Sequence, residues 1–274
     1  EVPKDVRAFL ESTKVQFISA DRLKIERKEK RSSYSSEETI TYESRVVACA
    51  KGIEEKIKDA LQEYATFSQI KDRSFPLRVI EGGEVLTVEE IKTKFILLEE
   101  RRRHYIDFGL LGKEDAEIST EELVASISED NRQIMSLYAT DTEEKLDTID
   151  GLAELISLYK SLLDNKFSNK QVAFSKEKGF EFVQAKTGRR LDATALSSGE
   201  QQELVLLYDL IFNTGKDTLI LIDEPELSFH IKWQLEFIDD LLQIIEKREF
   251  RAIVATHSPQ IIDDRWDLTV HLSE

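Results

Sequence analysis

Three short runs carry side chains able to do chemistry. The apolar run Thr218-Leu219-Ile220-Leu221-Ile222 leads into Asp223-Glu224-Pro225-Glu226. Two adjacent carboxylates at the end of a buried strand repel each other and lose hydration. Such a pair is tolerable where one carboxylate coordinates a divalent cation and the other holds a water or a proton. A polar strand end entering a turn accounts for Asp-Glu-Pro equally well. The second run, Leu196-Ser197-Ser198-Gly199-Glu200-Gln201-Gln202, sets Ser197 three residues before Glu200 and Ser198 three before Gln201, the spacing of a capping box. A helix that opens this way offers free N–H groups and the positive end of its dipole, a seat for an anion. A capped core helix with no ligand has the same pattern. The third run, Thr256-His257-Ser258-Pro259, follows a second apolar segment, residues 251–255 (RAIVA).

These runs need a frame. Residues 218–222 have the continuous apolar pattern of a strand buried on both faces of a parallel sheet. An amphipathic helix over about residues 228–247 carries Trp233, Phe237, Leu241 and Ile244 and leads to the strand at 251–255. Strand, helix, strand at this spacing is a right-handed βαβ unit. Both strands deliver polar groups at their carboxyl ends, where α/β sheets bind ligands. Leu204, Leu207, Tyr208 and Ile211 form the stripe of the serine-capped helix, and residues 268–272 (LTVHL) read as a last strand.

Upstream, residues 14–20 (KVQFISA) alternate as a strand, and residues 24–44, charged and without an apolar period, read as an exposed loop. Val46, Ala50, Ile53, Ile57, Ala60, Tyr64 and Phe67 make a narrow helical seam of the coiled-coil kind, which Pro76 and Gly82-Gly83 are expected to break. Thr87 with Glu90, Ser119 with Glu122, and Asp141 with Glu144 each read as a helix start. Residues 171–174 and 179–183 read as a β-hairpin turning at residues 176–178. The stretch 46–165 is thus expected to be an antiparallel helical insertion, an arm, a lid or an ordinary subdomain.

Composition narrows the classes. The chain of 274 residues carries 54 acidic and 38 basic side chains, a net charge of −16, which argues against indiscriminate coating of nucleic acid. A local basic patch such as Arg101-Arg102-Arg103-His104 leaves nucleic acid open as a partner, although a solvated helix end is the commoner reason for such a run. No apolar run approaches the ~20 residues of a membrane span. One cysteine, Cys49, excludes a disulfide framework and fits a cytoplasmic location, and four scattered His make no metal cluster. Cys49 itself reads as a small core residue.

In this order and spacing, LSSGEQQ, LILIDEPELSFH and IVATHSP resemble the catalytic half of an ABC-type ATPase. The resemblance covers residues 196–260 tightly and the preceding hairpin more loosely. It implies an α/β P-loop NTPase head with an inserted helical arm, acting on ATP with Mg2+. It further implies that residues 1–45 are the remainder of an N-terminal ATPase lobe plus an exposed loop, 46–165 the insertion, and 166–274 the ATPase core. Ser197, Ser198, Gly199, Glu200 and Gln201 then form the signature that meets the ATP of a second head in trans. Asp223 holds the metal, Glu224 activates water, Glu226, Leu227, Ser228 and His230 form the D-loop, and His257 is the switch histidine. Ser198, Glu200 and His230 depart from the transporter pattern. They are similar to the RecF/SMC/OLD-like branch, and to ATPases of bacterial antiphage systems such as Septu and retron-associated ones.

Such an ATPase also needs a phosphate-cradling G-x-x-x-x-G-K-[ST] loop, and the sequence holds none. Gly112-Lys113 follows Asp107 rather than Gly, and Gly215-Lys216 follows Leu210. The chain opens at Glu1 without Met, so the expectation is that this lobe lies upstream or on a separate chain. Asp21-Arg22 fall near the position where the family's Gln helps hold magnesium. The expected partners are a second head, in a dimer or higher homo-oligomer, and an effector such as a nuclease, with no membrane. A Toprim nuclease domain or an HNH-like cluster is not evident, so any cutting is expected of the partner. A RecF- or SMC-like role in DNA repair, or a slowly hydrolysing ATP-clamped scaffold holding a nuclease inactive, are the alternatives.

Overall fold

The computed structural model describes residues 13–30, 38–112, 120–227 and 229–270. The chain divides into two compact units. One comprises the described parts of Glu1–Cys49, Leu158–Val172 and Phe182–Glu274; the other comprises Ala50–Ser157 and Ala173–Glu181.

Among the described residues the first unit is built on a three-stranded parallel sheet, with β7 (Thr218–Asp223) between β1 (Lys14–Ile18) and β8 (Arg251–Ala255). Ile18, Ile220 and Ile222 are buried on one face. On the other, Phe17 is 62% and Ile253 58% exposed, and Leu219 and Leu221 are only half-buried. The expectation that β7 is buried on both faces is therefore corrected: its continuous apolar run reports both faces, but among the described residues only one is packed. Helix α5 (Ser198–Tyr208) is buried almost throughout its second half and passes into a π turn at Asp209–Asn213. Tyr159, fully buried, donates its hydroxyl to the Leu204 carbonyl at 3.0 Å and meets Phe212 edge-on at 5.4 Å. Burial raises the Tyr159 and Cys49 pKa values, so both stay neutral in the core. Helix α6 (Ile231–Arg248) buries Phe237, Leu241 and Ile244 and starts at Ile231, three residues later than the periodicity suggests, because His230 is its N-cap, with Nδ1 accepting from the Lys232 N–H.

Two other expectations change here. Residues 24–44 are not a loop throughout, since β2 (Lys24–Lys30) and β3 (Glu38–Ser44) pair antiparallel. Thr39-Ile40-Thr41-Tyr42 has the strand propensity that the charged composition masked. Residues 266–268 form a 3-10 turn instead of a strand, with Leu268 and Thr269 N–H groups bonded to Arg265 and Trp266 carbonyls. Those local bonds use the groups a sheet ladder needs. Residues 271 and 272 lie outside the described residues.

The second unit is helical: the greater part of α1 (Arg45–Glu81), then α2 (Val88–Asp107), α3 (Thr120–Ser126), and α4 (Arg132–Lys166) as far as Ser157. The Thr87–Glu90 box caps α2 as expected. Ser119 lies outside the described residues. Ile91, Phe95, Ile127 and Ala139 form one buried cluster, packed by Leu123, Met135 and Tyr138. Helix α1 is 37 residues, about 56 Å at 1.5 Å per residue, and does not break at Pro76. In the preceding turn Ser74 Oγ donates to the Ile70 and Lys71 carbonyls, and Arg78 Nη2 to that of Lys71 at 2.8 Å. Nor does Asp141 open a helix. It is buried inside α4, where Arg78 grips its carboxylate and Lys71 lies 3.7 Å away. Arg78 and Lys71 take the oxygens that a cap would have offered to its own backbone.

Gly179 opens β5 (Gly179–Gln184), which lies between its hairpin partner β4 (Lys170–Ser175) and the short β6 (Arg190–Leu191). Its φ is +69° and an added Cβ would lie 1.8 Å from the Ala50 carbonyl oxygen of α1. Gly179→Ala should therefore destabilise the protein by about 1–3 kcal/mol from overpacking, with roughly 1 more from the left-handed backbone, read as a lowered urea midpoint. Wild-type stability in this variant would contradict the close approach.

Candidate functional site

Asp223 is the last residue of β7, paired with Ala255 at the end of β8, and the Glu224 N–H donates to the Ala255 carbonyl at 2.9 Å. The two strands thus bring their carboxyl ends together. Glu224 then turns sharply, with φ +44°, a left-handed conformation that costs a non-glycine residue of order 1 kcal/mol and clusters at functional sites. The turn closes through Leu227 N–H to Glu224 O and Phe229 N–H to Glu226 O.

That turn assembles a cluster. Glu226 Oε1 accepts from the Thr256 hydroxyl at 2.6 Å and from the His257 and Ser258 N–H groups at 3.1 Å each. Ser258 Oγ donates to Gln234 Oε1 at 2.8 Å, fixing the same loop to α6. His257 Nε2 lies 3.3 Å from Glu224 Oε1, with its ring almost wholly exposed. Desolvation raises the Glu224 pKa, reinforced by the hydrogen bond and charge of Glu226 and by Asp223, and opposed by His257. Desolvation works against the Glu226 charge as well, but the Thr256 hydroxyl and the surrounding N–H donors prevail and lower its pKa. The neighbours are thereby split: one carboxylate is held ionised by the loop, while the other is disposed to take up a proton.

Ser197 is the N-cap of α5, accepting from the Glu200 N–H, while Glu200 Oε2 accepts from the Ser197 N–H at 2.8 Å. Of the two spacings in the sequence, the Ser197–Glu200 pairing forms. Ser197 and Ser198 are exposed at the start of the helix. Desolvation opposes the Glu200 charge, but Lys170 and Ser197 outweigh it and its pKa falls. Gln201 Nε2 donates to the Leu196 carbonyl at 2.9 Å. Leu227 is exposed, His230 serves as the α6 cap, and Ser228 lies outside the described residues.

Sequence reasoning placed Glu224, Glu226 and His257 in separate motifs; the structure joins them. It missed the roles of Thr256, Gln202 and Gln234, which only contacts across the fold reveal. Asp21 is exposed, and the Arg22 guanidinium, itself a cation, is buried against Gln202 and Pro225 rather than open to a metal. Among the described residues no group of three or more His, Cys, Asp or Glu side chains is arranged to hold a metal. Mg2+ takes one or two carboxylates plus phosphate oxygens and waters, so Asp223 fits a cation shared with a nucleotide rather than a protein cage.

A parallel βαβ sheet ending in adjacent carboxylates, with a capped helix in the same unit, fits an α/β P-loop NTPase-like fold. Residues 24–263 match the AAA_21 family, described as "AAA domain, putative AbiEii toxin, Type IV TA system", and the chain belongs to that family of AAA-type ATPase domains. Over 69 residues it is 33% identical to protein ea59 of Escherichia phage lambda, a match covering 25% of this chain and 13% of that protein. The chain thus spans only a small part of the length of that relative. Among solved structures it is similar to an Smc head bound to the C-winged helix domain of ScpA (11% identity, TM-score 0.32, covering 45% of this chain and 40% of that one). It is also similar to a Pyrococcus furiosus Smc head with an extended coiled coil bound to the C-terminal domain of ScpA (13% identity, TM-score 0.32, covering 79% and 50%). Among the described residues no helix is long and apolar enough to cross a membrane.

Proposed function

We propose that this chain is the ATP-binding and ATP-hydrolysing part of a switch that closes head to head around nucleotide, and that it controls an effector in bacterial antiphage defence. The observation that carries the hydrolytic reading is His257 Nε2 at 3.3 Å from Glu224 Oε1, at the ends of adjacent parallel strands, with Glu226 locking the loop between them. Glu224 accepts the proton of the attacking water. His257, exposed beside it, contacts the terminal phosphate and senses its loss. Asp223 would hold Mg2+, which when bound neutralises charge on the phosphates. The exposed Ser197 and Ser198 with the Gly199 backbone receive the terminal phosphate of a nucleotide on the second head. Closure on ATP and release after hydrolysis make a two-state element that an effector such as a nuclease reads. The family description, with its toxin and type IV system, agrees with a defence setting.

The test is sedimentation of the full-length protein with and without ATP, alongside phosphate release. Ser197→Arg places a long cation where two heads must meet. It should abolish ATP-dependent dimerisation and lower turnover by about 10²-fold or more, at the scale of losing a positioned donor, while nucleotide still binds. An unchanged rate in this variant would refute the role in trans.

A further inference from the structure

Arg22 follows β1 and is only 5% exposed. Its Nε donates to Gln202 Oε1 at 3.2 Å, on the helix that Ser197 caps. Its Nη2 donates to the Pro225 carbonyl at 3.0 Å, between Glu224 and Glu226. The guanidinium stands 5.5 Å over the Phe229 ring, at the far end of the same turn. Among the described residues Nη1 is buried without a hydrogen-bond partner. A buried, unpaired nitrogen costs stability, so stability alone is a poor reason for this placement. Burial lowers the pKa of the group, with Glu203, Asp209 and Glu226 opposing that shift.

We propose that Arg22 is a positioning residue that couples the two nucleotide sites of a closed dimer, because it joins the helix serving the partner's nucleotide to the carboxylate turn serving its own. The inference rests on the head-to-head reading above. In each head the Ser197 end of α5 answers to a phosphate held opposite, while Glu224 acts on the nucleotide held in cis. A rigid planar fork bonded to both elements lets a shift of one move the other. Lysine has the charge but a single nitrogen in place of the planar fork, so it does not reproduce the separate Nε and Nη2 bonds.

The test compares phosphate release against ATP concentration for the full-length wild type, Arg22→Lys, Gln202→Ala and the double variant, with affinity for a fluorescent ATP analogue measured separately. The wild type should be sigmoidal, with a Hill coefficient approaching the two sites present. Each single variant should fall to a coefficient of about 1 and lose roughly 10-fold in kcat, within the usual range of coupling, while analogue affinity stays within about twofold. The double variant should lose no more than either single one, since both cut the same link. Sigmoidal kinetics surviving in Gln202→Ala, additive losses, or a collapse of analogue affinity together with kcat would overturn the coupling role. A wild type that hydrolyses with a coefficient of 1 overturns the coupling and leaves the ATPase reading standing, whereas a wild type with no turnover overturns both.

Discussion

Glu224→Gln in the full-length protein should reduce steady-state phosphate release by about 10²–10⁴-fold, the usual contribution of a positioned base, while ATP still binds and closed dimers accumulate. The amide keeps the size of the carboxylate and its place after β7, but cannot take a proton from water. The pH profile offers an independent check. Partial desolvation, the hydrogen bond with Glu226 and the nearby Asp223 all raise the Glu224 pKa, and His257 only partly offsets them. A base is idle while protonated, so activity should be low in acid and rise with pH through a limb lying above the ordinary glutamate range. Phosphate release undiminished in the variant would remove Glu224 from the chemistry.

The second large effect concerns stability. Lys166, the last residue of α4, has a side chain only 2% exposed, with its Nζ 2.7 Å from the Asp240 carboxylate and 3.3 Å from Glu203. Desolvation disfavours its charge, but Glu203 and Asp240 outweigh that and raise its pKa. Lys166→Met leaves buried carboxylates without a counter-charge and should cost about 3–5 kcal/mol, measured as a drop in urea midpoint. Glu203, directly behind the serine-capped start of α5, is pushed by burial up to about 7, with Lys166 acting in the opposite direction. Between its ordinary pKa of 4.5 and about 7, native Glu203 holds a proton that the unfolded chain has released. This group's contribution therefore makes stability fall as pH rises through that window, and Glu203→Gln should flatten the fall. A Lys166→Met midpoint within error of wild type would show that the cluster is not a buried ion network.

Much of the site was legible because its signals are local. A capping box needs only Ser197 and Glu200 three residues apart, and the structure forms it. A buried strand followed by carboxylates, then an amphipathic helix and a second strand, likewise specifies β7, α6 and β8 from neighbouring residues. The same local logic failed where a distant side chain took over. Arg78 claims Asp141, which would otherwise read as a helix start, and also donates to the Lys71 carbonyl. Backbone pairing turns residues 24–30 and 38–44 into strands despite their charge.

Chain spacing alone therefore specified which elements surround the candidate residues, because periodicity and capping act within a few residues. The pairing of Glu224 with His257, the locking of Glu226 by Thr256 and two backbone N–H groups, and the bridging position of Arg22 came from the folded arrangement. Those contacts join residues from 30 to more than 200 positions apart, and only packing of the sheet and its flanking turns brings them within hydrogen-bonding reach.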